Sequence, residues 1–373
     1  MKWLRRGAVL AALALVALIA SGGGASLYYG YSPKACGSCH EIRPMVDSWA
    51  ASTHRSVACE ECHGRSLSAQ LRMHLRNAQR VATHLWGEAP EQIRLRRADV
   101  TSMIERCAGC HREEEAQWRN GPHGTRYAAI FLDTDHNRRQ RLMDDCLRCH
   151  GMHFEGGITA LVTPVDSKGP WRFVDPGVGG EPAIPCLTCH AIHRPGEPLK
   201  ARPSRGPQPG AGQEIVRPSL AFFDRRSLDP VPVADLPLPV VREGERAVHM
   251  SPDRRQALCY QCHAPRAEGE VFSGDDRTPV GVHEGLSCQA CHQTHGLSTR
   301  ASCADCHPRL SNCGLDVETM DTTYKSPKSP HDVHRVKCED CHPKGVPEKA
   351  RARRGVHRRE RPINDSSPAG SEP

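Results

Sequence analysis

Residues 36–63 read CGSCHEIRPMVDSWAASTHRSVACEECH, and the pentapeptide at each end of this stretch recurs down the chain. After CGSCH (Cys36, Cys39, His40) and CEECH (Cys59, Cys62, His63) come CAGCH (Cys107, Cys110, His111), CLRCH (Cys146, Cys149, His150) and CLTCH (Cys186, Cys189, His190). CYQCH (Cys259, Cys262, His263), CQACH (Cys288, Cys291, His292), CADCH (Cys303, Cys306, His307) and CEDCH (Cys338, Cys341, His342) complete the set. Nine copies use 18 of the 19 cysteines, whereas shuffling the same composition yields about 0.06 matches.

The spacing has a chemical reason. Two thiols three residues apart reach the two vinyl groups of one haem and become thioethers, and the following His lies beneath the iron as proximal ligand. Zinc sites pair CxxC units without requiring a His after every second Cys. A disulfide framework does not impose that His either. The motifs therefore predict nine covalently attached haems c. Aromatic residues make up only 5% of the chain, so porphyrin is expected to supply much of the apolar interior. The expected fold is mainly α with extensive loops, short helices surrounding closely packed haems, and one N-terminal transmembrane helix. Cys313 falls outside the motifs and reads as a free or buried thiol.

The bare chain carries a net charge of +7. Haem propionates add about −18 and ferric cores about +9, which leaves the oxidised holoprotein at about −2. Arginines and lysines are then expected to neutralise propionates, and no nucleic-acid partner is indicated.

At the N-terminus Lys2, Arg5 and Arg6 precede an apolar run, and residues 7–31 carry no charge. That length spans a bilayer, with Tyr28, Tyr29 and Tyr31 suited to the interface. A cleaved signal peptide is the competing reading. Both put the haem domains on the periplasmic side of a bacterial inner membrane, because the positive charges stay inside. The organisation expected is an anchor or signal over 1–34 and a five-haem domain over 35–194. A Pro-rich extended linker over 195–245, a four-haem domain over 246–343 and a basic, disordered tail over 344–373 follow.

The clearest helix runs from Ser66 to Trp86, with Leu67, Leu71, Leu75, Ala78, Val81, Ala82 and Leu85 on one stripe. A second is expected over Glu91 to Arg106. No segment alternates like a convincing strand.

Thirteen of the 22 histidines lie outside the motifs, more than nine irons need as distal ligands. His153, His193 and His295 each follow a proximal His by three residues. So short a tether does not reach round to the far face of the same haem, so each is expected to ligate a neighbouring one. His54, His283 and His334 precede a first Cys by four or five residues, which reads as a repeated packing unit. His123 and His136 are further candidates. His74 falls on the apolar stripe of the first helix, with His84 about 100° off its centre. Met45, in CGSCHEIRPM, is either a thioether ligand to the first haem or ordinary packing.

The stretch YYGYSPKACGSCHEIRPMVDSWAASTHRSVACEECHG resembles the NapC/NirT/NrfH-type membrane-anchored multihaem quinol dehydrogenases, and THLWGE resembles the segment between that family's second and third haems. The resemblance covers about residues 1–155. It implies that His54 and His84 are ligands and that quinol is oxidised beside the first haem. Ile42 stands where the family has its haem-1 Met, which leaves Met45, another group or an open site. Glu88, Asp99, Arg72 and Arg76 are nearby candidates for the quinol-site charges. The last four motifs look like cytochrome c3-like or doubled CxxCH modules.

The function expected is a membrane-anchored, periplasm-facing nonahaem cytochrome c. It would take electrons from the quinol pool or a membrane redox complex and pass them to periplasmic redox partners. A multihaem reductase of a small oxyanion and an extracellular electron conduit are the alternatives. Motifs that all end in His argue against the first of these, since such reductases need an open iron.

Overall fold

A computed structural model describes residues 2–31, 36–64, 66–87, 95–194, 199–200, 215–263, 283–296 and 343–345. The motifs beginning at Cys303 and Cys338, together with His307, His334, His342, Cys313 and the tail from residue 346, lie outside the described residues.

The local unit of the fold is the motif itself. The amide of His111 donates to the carbonyl of Cys107 at 2.8 Å, and the same bond recurs at His150–Cys146, His190–Cys186, His263–Cys259 and His292–Cys288. Each of these CxxCH motifs is thus one helical turn. Positions i, i+3 and i+4 of such a turn share a side, so both thiols and the imidazole are presented together. The turns are α-helical at Cys59–His63 and 3₁₀ at Cys186–Thr188 and Cys288–Ala290.

The helices between and around them are short apart from two. In order they are α1 Lys2–Tyr31, α2 Arg43–Ala50, α3 Cys59–His63, α4 Leu67–Trp86, α5 Arg97–Ala108, α6 Arg112–Asn120, α7 Tyr127–Phe131, α8 Thr134–Arg139, α9 Ile158–Leu161 and α10 Gln256–Cys259. The helix expected from Glu91 begins at Arg97, because Arg96 is in extended backbone and caps it. Helix α8 is started by Asp133, whose carboxylate accepts from the amides of Asp135 and His136 at 2.9 and 3.0 Å, an ordinary N-cap.

Strands are present where none was expected. They pair only as two-stranded antiparallel ribbons: Val162–Thr163 with Arg172–Phe173, Leu199–Lys200 with Ile215–Val216, Ala221–Asp224 with Asp229–Pro232, and Arg242–Glu243 with Arg246–Ala247. Strands of two to four residues are too short to print an alternating pattern.

Two apolar clusters hold the described part together. One joins Tyr127, Phe131, Leu147, Phe154, Leu161 and Val162. Gly151 completes it: at φ +125 it takes a backbone shape suited to glycine, and a Cβ there would sit 2.7 Å from the Tyr127 ring. The second cluster packs Phe222, Phe223, Val233 and Leu236 against Met152 and Ala257. The Pro-rich stretch expected as an extended linker therefore differs over its second half. Its hairpin carries Phe222 and Phe223, and burial of those rings ties it to residues beside the fourth and sixth motifs.

Among the described residues, no helix is long and apolar enough to cross a membrane. Helix α1 is 30 residues long, and its side chains over 9–24 are all exposed. Both α1 and α4 contact α3.

Candidate functional site

Seven motifs open onto one continuous cavity of about 3160 Å³, more than three times the roughly 1,000 Å³ upper end of small-ligand pockets. None of the 14 described cysteines forms a disulfide.

Across this cavity, motif histidines face non-motif histidines. Ring centroids are 5.3 Å apart for His40 and His84, 6.2 Å for His54 and His111, and 6.1 Å for His63 and His193. They are 6.0 Å apart for His123 and His263 and 6.3 Å for His190 and His295. His136 lies near enough to His150 to lower its pKa. Two metal–imidazole bonds of about 2.0–2.1 Å, plus about 1.1 Å from each nitrogen to its ring centre, make roughly 6.2 Å. The four pairs at 6.0–6.3 Å are therefore spaced to hold one iron each, while His40 and His84 stand closer at 5.3 Å, and the two thiols beside each motif His can take the vinyl carbons. The residues present fit haem c.

Burial favours the neutral imidazole, the form that ligates metal, at His54, His63, His123, His150, His190 and His295. It lowers the pKa of His63, with His193 adding to the effect, and of His123, with His263 adding. It takes His190 down to about 4, helped by His295. Two of the facing rings are also oriented by neighbours. His84 Nδ1 lies 3.0 Å from Glu41 Oε1, and His193 Nδ1 lies 2.9 Å from the carbonyl oxygen of Met45. With Nδ1–H donating, Nε2 is left free to point across the cavity.

Met45 itself is 46% exposed, and the ring opposite His40 belongs to His84. Arg76 pairs with Asp99 at 2.5 Å, Arg72 lines the cavity, and Glu88 lies outside the described residues. Glu41 and Asp253 were not legible as site residues, since a carboxylate beside a motif has no distinguishing pattern. The Asp253 side chain is fully buried and receives bonds from Arg255 (2.8 Å to Oδ2) and Ser287 Oγ (2.7 Å). Ser287 immediately precedes the seventh motif, and Arg255 lies four residues before the sixth.

The motifs also touch one another. Thiols of different motifs lie close enough to shift one another's pKa at Cys107 and Cys186, Cys149 and Cys262, and Cys259 and Cys288. Cys36 acts electrostatically on Cys59, Cys107 on Cys62, and Cys259 on Cys189, whose thiol burial pushes up to about 12. The first, second, third, fifth and sixth motifs thus follow one another in space, with the fourth and seventh both bordering the sixth.

His153 stands apart. It is 5% exposed and stacks on Phe223 at 4.1 Å. No described motif His faces it. Burial lowers its pKa from 6.5 to about 4. Between those values the unfolded chain binds a proton that the folded chain does not. The stabilisation is full above pH 6.5 and is lost as pH falls towards 4, on the order of 3 kcal/mol. Wild type is therefore expected to lose more stability than His153→Phe over this window in denaturant titrations of the holoprotein. Parallel pH profiles would refute the burial effect, and a new high-spin haem in the variant would place an iron at His153.

Repeated one-turn motifs, paired imidazoles and a shared cavity define a multihaem c-type cytochrome. Residues 106–165 and 240–293 match the family model described as cytochrome c554 and c-prime. A solved structure, that of the cytochrome c nitrite reductase NrfHA complex bound to the HQNO inhibitor, is similar at 26% identity with a TM-score of 0.23. The overlap covers 27% of this chain and 70% of that one. No curated protein matches the chain. The class supports a role in electron transfer or reduction.

Proposed function

We propose that this protein is a periplasm-facing, membrane-anchored cytochrome with nine haems c, carrying electrons from quinol or a membrane redox complex to a downstream redox protein. The observation that carries this reading is the run of facing imidazole pairs along one cavity. The nine proximal histidines end the motifs. His84, His193, His54, His136, His295 and His123 are the distal ligands to the first through sixth haems respectively. Haem supplies reversible one-electron chemistry at iron. The chain's own residues would do the rest: thiols would fix each seat, facing imidazoles would hold the iron, and motif contacts would order the seats. Two imidazoles per iron leave no place for an oxyanion at these six sites, which favours transfer over reduction of a small substrate.

The apolar side chains of α1 support the anchor: Leu10, Leu13, Val16, Leu18 and Ile19 are each more than 60% exposed. A menaquinol analogue is expected to reduce the full-length holoprotein in vesicles, and a form lacking residues 1–30 far more slowly. Equal rates would remove quinol as direct donor and leave a relay between soluble partners. A pyridine haemochrome assay giving fewer than nine haems per chain would show that a motif is unused.

A further inference from the structure

Helix α4 is built inside out. Its cavity side carries the polar side chains Arg72, Arg76, Asn77, Arg80 and His84, with Met73 and Val81 among them. Its apolar arc faces away, and Leu71, Leu75, Leu85 and Trp86 are 61%, 57%, 62% and 82% exposed. At 100° per residue, Ala78 and Ala82 fall between these leucines, so the outer face is one continuous apolar strip. A helix of 20 residues carries such a strip for about 30 Å. A soluble surface does not leave that much aliphatic and indole area uncovered without a partner.

The chemistry of the segment selects the partner. Residues 66–87 contain three arginines and two histidines and no acidic residue. An apolar face with Trp at its end and only positive charge beside it is the composition of a helix lying in the plane of an anionic membrane. Its position agrees: α4 and α1 both contact α3.

We propose that α4 lies on the surface of an anionic bilayer, with Leu71, Leu75, Leu85 and Trp86 in the acyl boundary. This rests on the anchored reading and deepens it. The first motif's facing ring, His84, sits on this same helix, so the arrangement holds the cavity directly over the lipid.

The test uses the full-length holoprotein in vesicles of phosphatidylglycerol and phosphatidylcholine containing a trace of lipid with a diazirine in its acyl chain. After irradiation and trypsin, fragment 81–94, which contains Leu85 and Trp86, is expected to carry lipid. Replacing phosphatidylglycerol with phosphatidylcholine, or introducing Leu85→Glu, is expected to lower that label several-fold while haem spectra stay unchanged. Label on α1 fragments but not on 81–94 overturns this proposal and leaves the anchor standing. Label on 81–94 without α1 keeps the surface and removes the anchor. Label on neither overturns both. Protein–protein cross-links through 81–94, formed with a separate bifunctional reagent, would make the strip a dimer face and also overturn the proposal.

Discussion

His295→Ala is expected to convert one low-spin haem to high spin and to add one CO-binding site per protein, at the fifth motif rather than at the seventh, which precedes it in sequence. The His295 and His190 rings are 6.3 Å apart with planes only 20° from parallel. Burial lowers the pKa of both, and His295 adds to the lowering at His190. Removing one imidazole leaves an iron with an empty axial position and no other described ring to fill it. His193→Ala should do the same to the second motif, through its pairing with His63. The haem count should not change, since thioethers and proximal histidines remain. Magnetic circular dichroism and CO titration of each variant check this. An unchanged spin-state count in both variants would overturn the pairing.

The second large effect is expected at Asp253. Its carboxylate is fully buried and holds Arg255 through both oxygens, while Oδ2 also receives the Ser287 hydroxyl. Removing one partner from a buried charged pair costs about 3–5 kcal/mol, because the other charge stays behind without compensation. Asp253→Ala should therefore lower the denaturant midpoint of the holoprotein and raise amide exchange over residues 283–296, where the seventh motif sits. Asp253→Asn should cost less, since an amide oxygen can still accept from Ser287. A loss below about 0.5 kcal/mol, the range of ordinary surface changes, would show that Asp253 does not tie the two motifs.

Much of this protein is local and hence readable from residue order. A CxxCH turn needs only five consecutive residues, and its helical bond from His to the first Cys is made within them. The same holds for α4, whose 3.6-residue period marks its extent to within a residue. The direction that helix faces is not local. Periodicity identifies an apolar arc around Leu71, Leu75 and Leu85 but not whether protein or something else covers it. Here the polar arc turned inward, because the interior it meets is a cavity for charged cofactors and not a side-chain core.

The short-tether argument for His193 and His295 could exclude the haem of their own motif, since the distance involved spans three residues. It could not name the haem they meet. His63 faces His193 and His190 faces His295 because distant parts of the chain fold back on one another; between His190 and His295 the hairpin buries Phe222 and Phe223 against Met152 and Ala257. Residue order alone determined which thiols and imidazoles seat each group, since that chemistry is contained in one turn of backbone. Tertiary structure decided which distant imidazole closes each seat and which seats adjoin, because those contacts join segments that only long-range packing brings together.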